Sequence, residues 1–240
     1  MNLANTVITE KPWQALVDIY VAPSAVFNKL QQTPNLTWMA FILIMAMHFV
    51  SYMIFYGRID PEWVVQQQLA VAGELTGQDK EALISVFKSF AQYAGVTAGI
   101  LATLATLVIS LCLAGYYMLV GNGNGNVKVE FNHWFAFAIW TQLPIVFKVI
   151  GLLMLFILSN EGDIRQELMS YSSLNQVFGL FEQTSSLHRW ANSIDLFYIW
   201  QIILATVGLH CWCQFSMTKA VGVAAVPYIV VFGFMSLFLY

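Results

Sequence analysis

Three ionisable side chains, His48, Lys148 and His210, lie inside long stretches of apolar residues. A lysine at the centre of a bilayer costs about 2.5 to 3.5 kcal/mol on insertion scales, so each such group needs a partner, water or a route to the interface. Counted at about 1.5 Å per residue from the cytosolic end of each span, His48 lies about 18 Å deep and Lys148 about 21 Å. That common depth makes a shared intramembrane polar cluster the first candidate site: His48, Gln142, Lys148, Asp195, Gln201 and His210. Lys148 could extend its stem towards Asp195 and Gln201, or snorkel to the outer interface. His210 falls about level with Gln142 on an antiparallel neighbour. A buried hydrogen bond is the expected use, because no chain of carboxylates leads away to form a proton relay.

Other chemistries find no carrier in the sequence. In His210-Cys211-Trp212-Cys213, residues 210 and 213 share a helix face and 211 points elsewhere, so a metal site would need ligands from other helices. No metal is expected. The glycine-rich Gly121 to Asn126 segment lacks the Lys-Ser/Thr ending of a phosphate loop. With no Ser-His-Asp set, paired intramembrane carboxylates or zinc helix motif, the expectation is a chain with no catalytic residues and no cofactor.

The elements that must position these residues follow from composition. The 240 residues are 59% apolar and only 10% charged, with a mean hydropathy of +0.68, whereas about a quarter of a soluble domain is charged. A helix needs about 20 apolar residues to cross a bilayer. Five stretches qualify, giving expected spans at about 36–56, 93–120, 134–158, 195–217 and 220–240. The fold class is therefore all-α: a polytopic membrane protein with a bundle of five transmembrane helices (36–240), an amphipathic N-terminal segment (1–35) and helical outer loops. A net charge of −3 without a basic block argues against nucleic acid. Cys112, Cys211 and Cys213 all fall in apolar runs, which disfavours a disulfide framework. The polar and amphipathic residues ahead of the first apolar run are unlike a cleavable signal, so that run is expected to remain in the mature protein.

The first 35 residues read as interfacial. Thr9-Glu10-Lys11-Pro12 marks a helix start, with Trp13, Leu16, Val17 and Tyr20 at helical spacing. Pro23-Ser24 opens a second short helix with Val26, Phe27 and Leu30 on its apolar side, Lys29 available to anionic headgroups, and Pro34 at its end. The segment is either a plain lead-in to the first span or a membrane-sensing element. Asp60 and Pro61 can cap and open a helix after the first span. A helix from near Asp79 could run through Phe87 and Phe90 straight into the second span. Ser159 to Ser193 is expected to be a mostly helical, acidic loop, and Gln214 to Lys219 a short link.

Small residues recur every fourth position in the second span, at Ala94, Ala98, Ala102, Thr106, Ser110 and Ala114, with Gly95 and Gly99 on the adjoining ridge. Such a face admits another helix backbone at close range, either within the monomer or across a homo-oligomer seam. Basic residues barely set the orientation. With the N-terminus inside, Lys11, Lys29, Lys128 and Lys219 face the cytosol against Arg58, Lys80, Lys88, Arg165 and Arg189 outside. The longer, more acidic loops favour a cytosolic N-terminus and an outside C-terminus.

Several residues together resemble the Yip1 family of five-span membrane proteins, in particular its bacterial members. They are Pro23, Phe27, Leu30 and Pro34, then Gly121, Gly125 and Phe131, Pro144, the run Asp195-Leu196-Phe197-Tyr198-Ile199-Trp200, Gly208-Leu209 and Lys219-Ala220. The resemblance implies a cytosolic N-terminus, five helices, an inner-membrane location and a role in membrane organisation or trafficking rather than catalysis. Eukaryotic members are associated with prenylated Rab GTPases and carry an Asp-Leu-Tyr-Gly-Pro signature. Here Asp18-Ile19-Tyr20-Val21-Ala22-Pro23 lacks the glycine and has an extra residue, so a Rab partner is not expected. The expected partners are the lipid bilayer and a membrane protein or second copy. The competing reading is a small-solute or ion transporter with a polar path around Lys148 and His48.

Overall fold

The computed structural model describes residues 12–72, 78–124, 128–159, 166–182 and 184–238. The proposed helix start at Thr9 to Lys11, the end of the glycine connector (Gly125 and Asn126), and Glu161, Asp163 and Arg165 lie outside them. Among the described residues there is no strand, only an isolated bridge between Ser173 and Asp195.

Helix α1 (Ala15–Val21) follows a short 3-10 turn and meets α2 (Pro23–Gln32) at Ala22, whose non-helical backbone (φ −141°, ψ 57°) separates the two. Pro23 opens α2 because its missing N–H is one of the donors left free at a helix start. Pro34 begins the turn that leads into α3 (Thr37–Arg58), then come α4 (Pro61–Ala72), α5 (Gln78–Ala91) and α6 (Ala94–Gly123). The third apolar run is divided into α7 (Phe131–Thr141) and α8 (Ile145–Leu158). Short helices α9 (Leu174–Phe178) and α10 (Ser186–Ser193) precede α11 (Phe197–Cys213) and α12 (Met217–Ser236).

Among the described residues, four helices are long and apolar enough to cross a membrane: Pro34–Arg58, Ala94–Gly123, Phe131–Leu158 and Met217–Ser236. Phe197–Cys213 is apolar but shorter. Its 17 residues stand at the lower limit of a spanning helix. The chain is an all-α polytopic membrane protein, and it sits in a lipid bilayer.

The span expected at 134–158 is present as Phe131–Leu158 and carries a break: Pro144 supplies no N–H and its ring excludes the carbonyl four residues earlier, so the regular helix stops at Thr141 and restarts at Ile145. Two sequence expectations need correction. The fourth helix, expected at 195–217, ends at Cys213, and the link to the fifth is only 214–216, because Gln214 adopts φ 53° and Ser216 caps α12. Helix α5 does not run into α6 but turns at Gln92 and Tyr93.

The chain divides into two compact units. One holds Met1–Leu43, Ser110–Pro144 and Tyr198–Phe238. Its centre is α7, where Trp134, Phe137, Ile139 and Trp140 are fully buried. Phe137 packs against Phe27, Tyr117 and Trp212 at centroid distances of 5.2, 4.9 and 5.2 Å, in the edge-on and tilted geometries that aromatic quadrupoles favour. Gly208 makes room for it: a Cβ there would stand 2.4 Å from Phe137 Cε2.

The other unit holds Ile44–Ile109 and Ile145–Phe197. Its core joins Phe55 and Ile59, Val64 and Val65 of α4, Ala91, and Leu152 and Phe156 of α8. Asp60 accepts a hydrogen bond from the Glu62 N–H at 2.9 Å and so caps α4. Arg58, at the end of α3, donates to the Phe156 carbonyl at 2.6 Å.

Candidate functional site

Lys148 occupies the first turn of α8 and forms an ion pair with Asp195. The lysine side chain is a quarter exposed and the carboxylate 8%. Asp195 also accepts from the Ser172 hydroxyl, at 3.1 and 3.0 Å to its two oxygens, and from the Phe197 N–H at 2.9 Å. Three kinds of donor thus converge on one buried carboxylate, which is what a charge far from water requires. Tyr171 donates its hydroxyl to the Lys148 carbonyl at 2.9 Å. Burial, with the Asp195 carboxylate nearby, pushes the Tyr171 phenol up to about 12. Gly151 makes this approach available, since a Cβ there would fall 2.3 Å from the Tyr171 oxygen. His48, in the same unit, spends its Nδ1–H on the Ile44 carbonyl of its own helix at 3.0 Å.

The small-residue ridge of α6 meets α3 in this unit. A Cβ on Gly99 would stand 2.8 Å from Phe49 Cδ2 and 3.2 Å from the Phe49 carbonyl oxygen, and one on Gly95 3.3 Å from Tyr56 Cβ. Ala98 and Ala102 are half-buried, and Thr106 is buried with its hydroxyl donating to Ala102 O at 2.8 Å.

In the first unit, the break between α7 and α8 carries a second polar centre. Gln142 donates its amide to the Ser110 hydroxyl at 2.9 Å and to Ala138 O at 3.0 Å. Tyr20 of α1 donates its hydroxyl to Leu143 O at 2.7 Å. A backbone carbonyl freed by a helix break at membrane depth must find a donor, and α1 supplies one. Gln201 is used elsewhere, accepting from Tyr228 at 2.9 Å. His210 is not paired with Gln142, a further correction. It is exposed, and its Nδ1–H donates to Phe215 O at 2.7 Å across the tight link to α12. Lys219 closes the same corner, with Nζ 4.0 Å from the Phe215 ring centre and 3.0 Å from Asn124 Oδ1.

The residues that sequence reasoning placed only at the surface are those of α1 and α2. Ala15, Ile19, Val26, Phe27 and Leu30 are buried. The Tyr20 ring meets Trp200 edge-on at 5.5 Å, and Trp212 donates its indole N–H to Phe27 O at 2.8 Å. Leu143 lies twelve residues beyond Phe131 and Trp200 thirteen before Cys213. At about 1.5 Å per residue, the joint of the α1–α2 pair stands some 18 to 20 Å along α7 and α11 from their connector ends. The opposite face of α1 and of the turn before it is apolar and open: Trp13, Val17 and Val21 are 57, 54 and 76% exposed.

No curated protein and no solved structure matches the chain in comparison. The model of the Yip1 domain matches residues 17–239, a span that takes in Tyr20, the Pro144 break, Lys148 and Asp195, and the chain belongs to that family.

Proposed function

We propose that this protein is a non-enzymatic organiser of the bilayer, acting through the α1–α2 pair in the leaflet on its N-terminal side, with five spans, a cytosolic N-terminus and an outside C-terminus in a bacterial inner membrane. Helix α11 serves as the fifth span. One observation carries the reading: α1 is tied to the bundle by the Tyr20 to Leu143 hydrogen bond while Trp13, Val17 and Val21 face outward. An apolar face held at fixed depth on one side displaces acyl chains in one leaflet only, which favours curvature or recruits lipids that tolerate it.

The test uses the purified full-length protein in phosphatidylcholine liposomes, with vesicle shape followed by electron microscopy. Wild type should shift vesicles towards smaller or tubular forms. The triple variant Trp13→Ser, Val17→Ser and Val21→Ser, reconstituted at equal density, should not. Equal remodelling by both would refute the reading.

A second reading, small-solute or ion transport, is favoured by the break in the third helix, because discontinuous helices recur at transporter sites. The break lies close to the lysine, since α8 begins three residues before Lys148. Against transport, the break is already used, with Gln142 on Ser110 and Leu143 O on Tyr20. Lys148-dependent flux of protons, ions or small solutes in the same liposomes would replace the organiser reading with this one.

A further inference from the structure

We propose that Lys219, at the start of α12, binds the headgroup phosphate of an anionic phospholipid whose acyl chains lie along the open face of that helix. The site is independent of the role given above to α1 and α2. A surface lysine ordinarily carries its ammonium on a flexible stem. This one is held twice: Nζ donates to Asn124 Oδ1 at 3.0 Å and stands 4.0 Å from the centre of the Phe215 ring. The ring is itself fixed, since Phe215 is buried and its carbonyl accepts from His210 Nδ1 at 2.7 Å.

Both partners of the ammonium are neutral, so its charge is positioned without being compensated. The described carboxylates of this compact unit are Asp18 and Glu130, and neither pairs with Lys219. The residue is exposed, and Asn124 takes one of its donors. A side chain ordered in advance loses less rotamer freedom on binding. The counter-charge that this one lacks is what a phosphate brings.

Depth selects a lipid as the source of that phosphate. Helix α12 has 20 residues, and its length of about 30 Å equals the thickness of the hydrocarbon core. Lys219 is its third residue, so the ammonium stands at the edge of that layer. One side of the helix packs on its neighbours: Ala220 and Ala224 are buried, and Tyr228 donates to Gln201 of α11. On the lysine's side, three, seven and eleven residues further on, come Gly222, Val226 and Val230, all exposed. A Cβ at Gly222 would meet nothing within 4 Å, so the face is open directly beneath the charge. One leaflet of hydrocarbon is about 15 Å deep, or about ten residues of helix. Acyl chains hung from a phosphate on Lys219 therefore reach Ile229 and Val230, which are 66 and 60% exposed. A zwitterionic lipid sets its own cation beside the phosphate, whereas an anionic one leaves the charge for Lys219.

The experiment places full-length protein in phosphatidylcholine liposomes with a trace of photoreactive phosphatidylglycerol or photoreactive phosphatidylcholine, each carrying a diazirine on an acyl chain. Insertion is mapped by peptide mass spectrometry, and that at residues 222–230 is divided by that around Leu104, an exposed residue of α6. We expect this ratio to be about fivefold higher for phosphatidylglycerol, the preference that one lysine at an anionic surface confers. Lys219→Gln should bring the two lipids to parity. So should Asn124→Asp, which keeps the ammonium and sets a carboxylate of nearly the same size against it. Lys128→Gln, which removes another exposed lysine of the same unit, should retain the preference. Parity in wild type, or a preference that survives either Lys219→Gln or Asn124→Asp, would overturn the proposal. Equal loss in Lys128→Gln would show diffuse attraction to a charged end of the protein, which also overturns it.

Discussion

Replacing Gly121 by alanine should destabilise the protein although alanine is the better helix former. The glycine lies in the last turns of α6, and an added Cβ would stand 2.2 and 2.3 Å from Cη2 and Cζ2 of Trp134 and 3.3 Å from Cys213 Sγ. Trp134 has little freedom to withdraw. It is fully buried, its indole N–H donates to Asn122 Oδ1 at 3.1 Å, and its ring packs on Trp212 at 5.2 Å and Phe137 at 5.6 Å. Overpacking of this kind costs about 1 to 3 kcal/mol, and more where neighbours are fixed. The helix-propensity gain returns about 0.5 to 1 kcal/mol. The net loss should be about 1 to 2 kcal/mol, read from unfolding in bicelles against added sodium dodecyl sulfate. Gly115 supplies the internal comparison, because it is in the same helix with nothing within 4 Å of its hypothetical Cβ. Gly115→Ala should be neutral or stabilising by up to about 1 kcal/mol. Pairing Gly121→Ala with Trp134→Phe should recover part of the loss, giving a non-additive cycle. Equal stability of Gly121→Ala and Gly115→Ala would refute the close approach to Trp134.

Other outcomes follow from the polar centres. Asp195→Ala should be more destabilising than Lys148→Met, because it strands a partly buried ammonium, whereas the carboxylate left by the second change keeps Ser172 and the Phe197 N–H; breaking a fully buried pair costs about 3 to 5 kcal/mol, and the partial exposure of Lys148 places both below that in the same unfolding assay. Tyr20→Phe should cost roughly 1 to 3 kcal/mol by leaving Leu143 O without its donor, and hydrogen exchange should show faster exchange within α1 and α2. On a cysteine-free background, Asn124→Cys should label from the cytosolic side and Glu182→Cys from the other; the reverse pattern would invert the proposed orientation. Gly99→Leu should lower stability through Phe49, while Leu at Val230, which faces outward on α12, should not.

Hydropathy made the spans legible because it measures transfer from water, and helices longer than about 20 apolar residues have few alternatives in lipid. The same measure cannot see a helix stop within an apolar run. Pro144 was visible, but whether it kinks or breaks a helix depends on a donor for the freed carbonyl, and that donor, Tyr20, is remote in sequence. The reach from Lys148 to Asp195 could be read from side-chain length and relative depth. The fates of His210 and Gln201 could not, since they depend on Gln214 adopting a left-handed backbone that glutamine does not announce, and on which face α12 turns to α11. Nothing in residues 1–35 separated a helix resting on the surface from one pinned by its phenol; amphipathic spacing is the same for both.

The bond from Tyr20 to Leu143 spans 123 residues of sequence, and that from Trp212 to Phe27 spans 185. At roughly 5 to 20 residues per second of synthesis, the acceptor for Tyr20 appears some 6 to 25 s after the tyrosine itself, and the donor for Phe27 roughly 9 to 37 s after the phenylalanine. Helices α1 and α2 are thus made long before these two attachments can form. Through that interval they have only the membrane surface to hold them, and a nascent chain stalled before α7 would carry α1 and α2 with neither of these attachments.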